Sequence, residues 1–194
     1  MPGVSWLQTL NNSPIDGTAL ANSTVATSLL PPIAKPTLPA NYFTSAGKLF
    51  KVRASGRIST VVTTPGTLTL DVRFGSVVVF NGGAMTLNIV AKTNVGWVLD
   101  ADITVRAVGA TTTANVIGQG LWTSETVIGA PLPTAGGATS HVLPYNTAPV
   151  VGTGFDSTAA FTVDLFGTWS VANAANSITC HQFALIDMNM GSSA

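Results

Sequence analysis

Apolar and polar residues alternate along most of the chain from Tyr42 onward. The clearest stretch is 95–107, in which every second residue is apolar: Val95, Trp97, Leu99, Ala101, Ile103, Val105 and Ala107. Shorter runs at 68–74, 85–89, 161–169 and 178–186 repeat the pattern. A period of two gives a strand one buried face and one wet face, which is typical of antiparallel sheets. The pattern therefore predicts an all-β protein.

Turn signals divide these runs into about eight strands, near 48–60, 67–74, 76–80, 84–90, 95–108, 115–128, 160–170 and 177–188. The clearest turn signals are Thr64-Pro65-Gly66 and Asn81-Gly82. The number and spacing of strands favour an antiparallel, jelly-roll-like β-sandwich. Residues 129–153, rich in Gly and Pro, form a long loop in this scheme. A loop of that length in a compact domain indicates a functional loop or an interface.

The first 41 residues differ from the rest, because six of the eleven prolines lie there. Proline fixes φ and lacks an amide donor, so this stretch cannot form a central strand or a long helix. We therefore divide the chain into an extended N-terminal arm, 1–41, and a sandwich domain, 42–194. Apolar residues of the arm must dock on their own domain or on a neighbour. The predicted interface residues are Trp6, Leu7, Leu10, Leu29 and Leu30 of the arm, with His141 and Tyr145 of the long loop.

Charge is scarce: only 8% of residues are charged and the net charge is zero, whereas soluble domains average about 25% charged residues. A surface of Thr, Ala, Val and Asn is easily desolvated, so we interpret it as a surface that is covered in an assembly. The alternative is a monomer with a neutral surface. Phosphate binding needs clustered Lys and Arg, so no nucleic-acid partner is expected. No apolar run approaches the ~18 residues of a membrane helix, and no secretory leader is visible at the N-terminus.

Candidate chemistry is sparse, and neither an enzyme nor a cofactor or metal site is expected. His181 follows Cys180 directly, so on a strand the two side chains point to opposite faces. Asp100 and Asp102 share one wet face. They suit a bound calcium ion or acid–base chemistry or, as we favour, the polar side of a sheet that faces Arg106 or a basic side chain on the next strand. The three tryptophans on the apolar phase, Trp97, Trp122 and Trp169, are expected in the core, and Gly118-Gln119-Gly120 is expected at a bulge or close sheet contact.

Several motifs resemble small jelly-roll structural proteins of tailed bacteriophages. They are Val52-Arg53-Ala54-Ser55-Gly56-Arg57-Ile58-Ser59, Gly66-Thr67-Leu68-Thr69-Leu70-Asp71-Val72-Arg73-Phe74-Gly75, Gly154-Phe155-Asp156-Ser157-Thr158-Ala159-Ala160, Thr168-Trp169-Ser170 and Asn176-Ser177-Ile178-Thr179. The resemblance covers about residues 42–188 and transfers no site residue. It implies a virion protein made in the host cytoplasm: a capsid decoration (cement) protein or a fibre head. Such a protein would be a homo-oligomer, most often a trimer, and a decoration protein would sit on the capsid surface against the major capsid protein.

Three functional hypotheses follow. As a decoration protein, the chain would use its arm as a clamp, and deletion of residues 1–40 would abolish attachment while leaving a folded sandwich. As a tail or fibre module, it would bind a host receptor through loop 129–153. As a carbohydrate-active enzyme or lectin, it would need clustered carboxylates beside exposed aromatic rings, which the sequence does not indicate. The first hypothesis is favoured.

Overall fold

The computed structural model describes residues 6–128, 138–152 and 154–190. Within these residues the chain is almost entirely β-structure, with one short 3₁₀ turn at Pro32–Ala34. The strands are β1 (Trp6–Asn12), β2 (Leu20–Ala21), β3 (Thr27–Ser28), β4 (Thr37–Leu38), β5 (Leu49–Thr60), β6 (Thr67–Phe74), β7 (Val77–Thr86), β8 (Lys92–Ala107), β9 (Asn115–Ile128), β10 (Ala138–Leu143), β11 (Phe161–Trp169) and β12 (Ser177–Met190). No helix in the described part of the chain is long and apolar enough to cross a membrane.

The strands form two antiparallel sheets. The large sheet has seven strands in the order β1-β12-β5-β8-β9-β10, with β2 also paired to β12. The small sheet has five strands in the order β3-β11-β6-β7, with β4 also paired to β11. Strand β5 thus lies beside β12 in one sheet while β6 lies beside β11 in the other. The predicted all-β antiparallel sandwich is confirmed.

The predicted strand boundaries hold closely for β5, β6 and β9. Two predicted strands, 76–80 and 84–90, are instead one strand, because Asn81-Gly82-Gly83 forms a bulge in β7 rather than a hairpin turn. Gly83 has φ +77°, and its amide donates to the Asn81 side chain at 2.9 Å. A bulge and a tight turn both need a positive φ, so the same residues suit either. Part of the predicted long loop is also a strand: β10 pairs with β9.

The core lies between the sheets and has an aromatic cluster toward each end. The Trp97 and Trp122 rings stack at 5.1 Å between centroids. Five phenylalanine rings pack together at the other end: Phe43, Phe50, Phe74, Phe155 and Phe161, with centroids 4.5–5.9 Å apart. Trp97, Trp122 and Trp169 are all buried, as predicted. Gly118 lies against the Phe80 ring, where an added Cβ would be 2.5 Å from Cδ2, so its strand makes the close sheet contact that was expected.

The N-terminal arm is part of this core. After β1 pairs with β12, the chain crosses to the small sheet, where β3 and β4 pair with β11. Leu20, Leu29, Leu30, Ala34 and Leu38 are buried in the hydrophobic core of the same chain. The prediction of Leu29 and Leu30 as interface residues is therefore wrong. They cover the edge of the sandwich beside β11, where the Leu29 amide donates to the Leu165 carbonyl at 2.8 Å.

A buried polar cluster lies beside the phenylalanine cluster. The Tyr42 hydroxyl donates to Asp187 Oδ2 at 2.6 Å, and Lys48 Nζ lies 2.9 Å from the same oxygen. Burial, followed by the hydrogen bond to Asp187, raises the pKa of Tyr42 above its ordinary value. A buried carboxylate needs such partners, because leaving one unpaired in the core is strongly destabilising. The cluster fastens the start of the sandwich domain to β12.

Cys180 lies in the core on β12, and its Sγ donates to the Gln182 carbonyl at 3.2 Å. Burial raises the pKa of this thiol from 9.0 to about 12. The unfolded chain therefore loses the thiol proton first, and the free energy of unfolding falls as the pH rises between those two values, by at most about 1.4 kcal/mol per pH unit.

This dependence is measurable by urea unfolding at pH 8 and pH 10. Between these two pH values, wild type is expected to lose about 1 kcal/mol more stability than Cys180→Ala. Tyr42 is present in both proteins, so its titration cancels. Parallel pH profiles for the two proteins would show that the thiol is not coupled to folding.

Candidate interaction surfaces

The outer face of the large sheet carries a charged network. Lys51 Nζ lies 2.8 Å from Asp100 and 3.3 Å from Asp102, and Arg53 lies 3.5 Å from Asp100. The register places these residues opposite one another, with Lys51 facing Asp102 and Arg53 facing Asp100 across β5 and β8. Hydrogen bonding to Asp100 raises the pKa of Lys51, against the opposing effect of burial.

This network bears on the interpretation of the paired carboxylates. The Lys51 ammonium occupies the position between Asp100 and Asp102 that a metal cation would take. Among the described residues, no group of three or more His, Cys, Asp or Glu side chains is arranged to hold a metal ion. The two carboxylates lie on the polar side of the sheet and face Lys51 and Arg53 of the next strand, which is the pairing with basic side chains that we favoured.

The same outer face has a shallow depression of about 580 Å³ beside the network. Its lining mixes charged, polar and apolar side chains, among them Asp100, Arg106, Gln119, Leu121 and Val142. Leu121 and Val142 are cross-strand neighbours and both are exposed. Single exposed aliphatic side chains among charges are normal on a protein surface. This face has the character of a solvated surface.

Strand β1 brings the predicted arm residues Trp6, Leu7 and Leu10 to one edge of the large sheet. Trp6 is 54% exposed and Leu7 is 63% exposed, whereas Leu10 is partly buried against the core. The pairing of β1 with β12 has two register shifts, between Trp6 and Gln8 and between Thr9 and Asn11. Large exposed apolar residues on an edge strand are suited to contact another protein. Their role as anchors stays a prediction.

The structure brings His141 and Tyr145 together. Their ring centroids are 5.4 Å apart at 71°, and a cis peptide joins Leu143 to Pro144 between them. His141 on β10 faces Trp122 on β9, and the Tyr145 amide donates to the Gly82 carbonyl at 2.7 Å. Both residues pack on the sandwich instead of projecting from a loop. Residues 129–137 and 153 of the predicted loop lie outside the described residues.

Sequence reasoning missed a group of exposed aliphatic residues at one end of the sandwich. Four connections cross there between the sheets: 22–26, 61–66, 87–91 and 170–176. We call the surface that these four segments form the apolar end. Val25, Val62, Ile89, Val90 and Val171 of these segments are all exposed. The alternation over 85–89 predicts Ile89 on the buried face of a strand, but β7 ends at Thr86. The usable signal was the lack of any charged residue in all four segments.

Comparisons with known proteins add little to this description. No protein-family model matches the chain, and no curated protein matches it. One similar solved structure is the CBM2 module of the evolved Dit of Lactobacillus casei BL23 phage J-1, with 9% identity and TM-score 0.32 over 82% of this chain and 70% of that one. Another is a protein of unknown function from Shewanella oneidensis MR-1, with 12% identity and TM-score 0.35 over 97% of this chain and 81% of that one. Both TM-scores are below the level at which two proteins share a topology, so the fold described above rests on this chain alone.

Proposed function

We propose that this chain is a non-enzymatic structural protein of a tailed-phage virion, specifically a capsid decoration protein that binds and stabilises the major capsid shell. The observation that carries the proposal is the exposure of large apolar side chains, led by Trp6 and Leu7, on a chain that is only 8% charged and has no net charge. Such a surface favours association over a free monomer. The sequence motifs that resemble structural proteins of tailed phages support a virion as the assembly to which the chain belongs.

The mechanism in this proposal is shared burial. Each molecule covers apolar surface on the shell and on copies of itself, which we expect to form a trimer. Burial is worth about 25 cal/mol per Å² of apolar area. A modest contact repeated over a shell therefore raises the free energy needed to separate its subunits.

Immunogold labelling of virions of the parent phage with antibody to this chain tests the location. Gold particles spread over the head are the expected result. Gold confined to the tail would favour the alternative, a tail or fibre module that binds a host receptor. Absence of label from every particle would refute the virion assignment.

Trp6→Ser combined with Leu7→Ser tests the arm. Both side chains are mostly exposed, so we expect little change in thermal stability. Trimer formation or attachment to heads should weaken at least about tenfold, because two apolar anchors are lost. Light scattering measures the first quantity and co-sedimentation with heads measures the second. The exposed polar pair Gln8→Ser and Thr9→Ser on the same strand is the control, and equal effects of both pairs would remove Trp6 and Leu7 from the interface.

The receptor-binding alternative has one structural feature in its favour. The segment after Tyr145 exposes the side chains of Val150 and Val151. If this segment contacts a receptor, substitution of Val150 and Val151 by Ser should reduce adsorption to host cells and leave head stability unchanged.

A further inference from the structure

The apolar end differs from the rest of the surface in its charge. None of its four segments contains a charged residue, and Lys92 at the start of β8 borders it. By contrast, the outer face of the large sheet holds Lys51, Arg53, Arg57, Asp100, Asp102, Arg106 and Glu125. The chain thus confines its scarce charge largely to other surfaces. One end of the sandwich is left with exposed Val and Ile side chains.

Two buried asparagines hold the apolar end in shape. Asn176 is fully buried, and its side chain accepts the Val61 amide at 2.8 Å and donates to the Pro65 carbonyl at 3.0 Å. Asn88 is also buried, and its side chain accepts the Val90 amide at 2.9 Å. Each asparagine side chain therefore forms hydrogen bonds with backbone groups of the loops that would otherwise need water as their partner.

Backbone hydrogen bonds join the four segments in two pairs, 61–66 with 87–91 and 22–26 with 170–176. The Thr63 amide donates to the Ile89 carbonyl at 2.9 Å, and the Asn22 amide donates to the Asn173 carbonyl at 3.3 Å. An added Cβ on Gly66 would lie 2.8 Å from Val171 Cγ2, so these segments are in close contact. The exposed aliphatic side chains thus lie on loops that are held together by hydrogen bonds and close contacts. A surface ordered in advance loses less conformational entropy when it binds.

The apolar end also contains a groove. It has a volume of about 420 Å³ and is lined by small and aliphatic side chains, including Val62, Ala91, Ala174 and Ala175, together with hydroxyl side chains and Lys92. Exposed aliphatic residues around such a groove match the apolar centre of protein interfaces, from which charge is depleted. Membrane-binding surfaces instead combine apolar residues with Trp and several Lys or Arg, and these four segments contain none of those residues.

We infer that the apolar end is the surface by which the molecule stands on the capsid shell, and that its partner is an uncharged, apolar patch of the shell protein. This inference rests on the proposed function. A charged partner surface would lose its hydration and meet no opposite charge from the four segments, with Lys92 as the charged side chain at the groove. Attachment by the end leaves the charged sheet face in water. It also leaves the β1 edge, with Trp6 and Leu7, free to contact neighbouring copies.

Two matched pairs of substitutions test this inference, Val62→Asp with Ile89→Asp and the milder Val62→Ser with Ile89→Ser. Val62 is 56% exposed and Ile89 is 50% exposed, so the serine pair is expected to keep the fold. The control is Leu121→Asp, at a side chain that is 45% exposed on the charged sheet face. Thermal unfolding checks that each variant remains folded. The probe is a preparation of parent-phage heads assembled without this chain, and co-sedimentation with the purified protein gives Kd.

We expect the aspartate pair to weaken binding at least about 100-fold and the serine pair about tenfold, with Leu121→Asp within about twofold of wild type. If both the aspartate pair and the serine pair at the apolar end bind heads with wild-type affinity, the inference is overturned and the proposed function stands. Failure of the wild-type chain to bind heads would overturn the proposed function and the inference with it. Normal head binding with loss of the oligomer in light scattering would assign the apolar end to contacts between copies, which also overturns the inference.

Discussion

Deletion of residues 1–40 is expected to unfold the sandwich, in contrast to the folded domain expected from the sequence. The deletion removes Leu20, Leu29, Leu30 and Leu38 from the core, together with the strands that pair with β11 and β12. Loss of one buried leucine typically costs about 2–5 kcal/mol, and a whole domain has only about 5–15 kcal/mol of stability. Four such losses exceed what the domain can sustain. Circular dichroism and thermal unfolding measure the result.

Deletion of residues 1–12 is the matched control. It removes β1 with the exposed Trp6 and Leu7 and the partly buried Leu10, and it leaves the fully buried leucines of the arm, Leu20, Leu29, Leu30 and Leu38, in place. We expect a folded protein with a lower midpoint of thermal unfolding. A cooperative transition in the protein that lacks residues 1–40 would show that the arm is dispensable for folding. This pair of deletions also separates the two parts of the arm. Only the deletion of residues 1–12 is expected to leave a folded protein, so only this variant can be used to measure attachment to heads.

Gly56→Ala is expected to destabilise the protein by about 3 kcal/mol, at the upper end of the usual range for overpacking. A Cβ on Gly56 would lie 1.9 Å from the carbonyl oxygen of Thr179, where the β12 bulge approaches β5. That oxygen belongs to the backbone, so relief requires movement of a whole strand pair. Chemical denaturation gives the change in the free energy of unfolding.

Gly96→Ala on the neighbouring strand is the control for Gly56→Ala. Its register partner on β5 is Arg57, and an added Cβ would meet no atom within 4 Å. Replacement of glycine by alanine at an unstrained strand position reduces the entropy of the unfolded chain, so we expect a neutral or slightly stabilising effect. Equal destabilisation by the two substitutions would mean that the contact with Thr179 is not the cause.

The sequence predicted the fold class and most of the core because the period of two runs through strands with one wet face. β8 is the clearest case: Trp97, Leu99, Ala101, Ile103 and Val105 are all buried. The sequence could not place Leu29 and Leu30, because an apolar pair in a proline-rich arm has the same pattern whether it docks on its own sheet or on a neighbour. The choice between these two positions depends on the edge of β11, which is open to pairing by β3 and β4 of the same chain.

The surfaces were harder to predict than the core. Pairing of Asp100 and Asp102 with Lys51 depends on the register of β5 against β8, which the alternation alone does not fix. The apolar end depends on Asn88 and Asn176, whose burial arises only when distant loops meet. The missing charge in four separate loops was visible in the sequence. Its meaning required the topology that brings those loops to one end.

The pairing of β1 with β12 has a consequence for biosynthesis. Residues 6–12 pair with residues 184–190, so the partner of β1 leaves the ribosome long after β1 itself. Until then, Trp6 and Leu7 lie on a strand with no hydrogen-bonding partner, and β5 also lacks the neighbour that β12 provides. Sheets built from such distant segments fold slowly and expose unpaired edges meanwhile. We therefore expect ribosome-bound chains that end before residue 177 to be sensitive to protease and to bind chaperones, with protection beginning only after β12 has emerged.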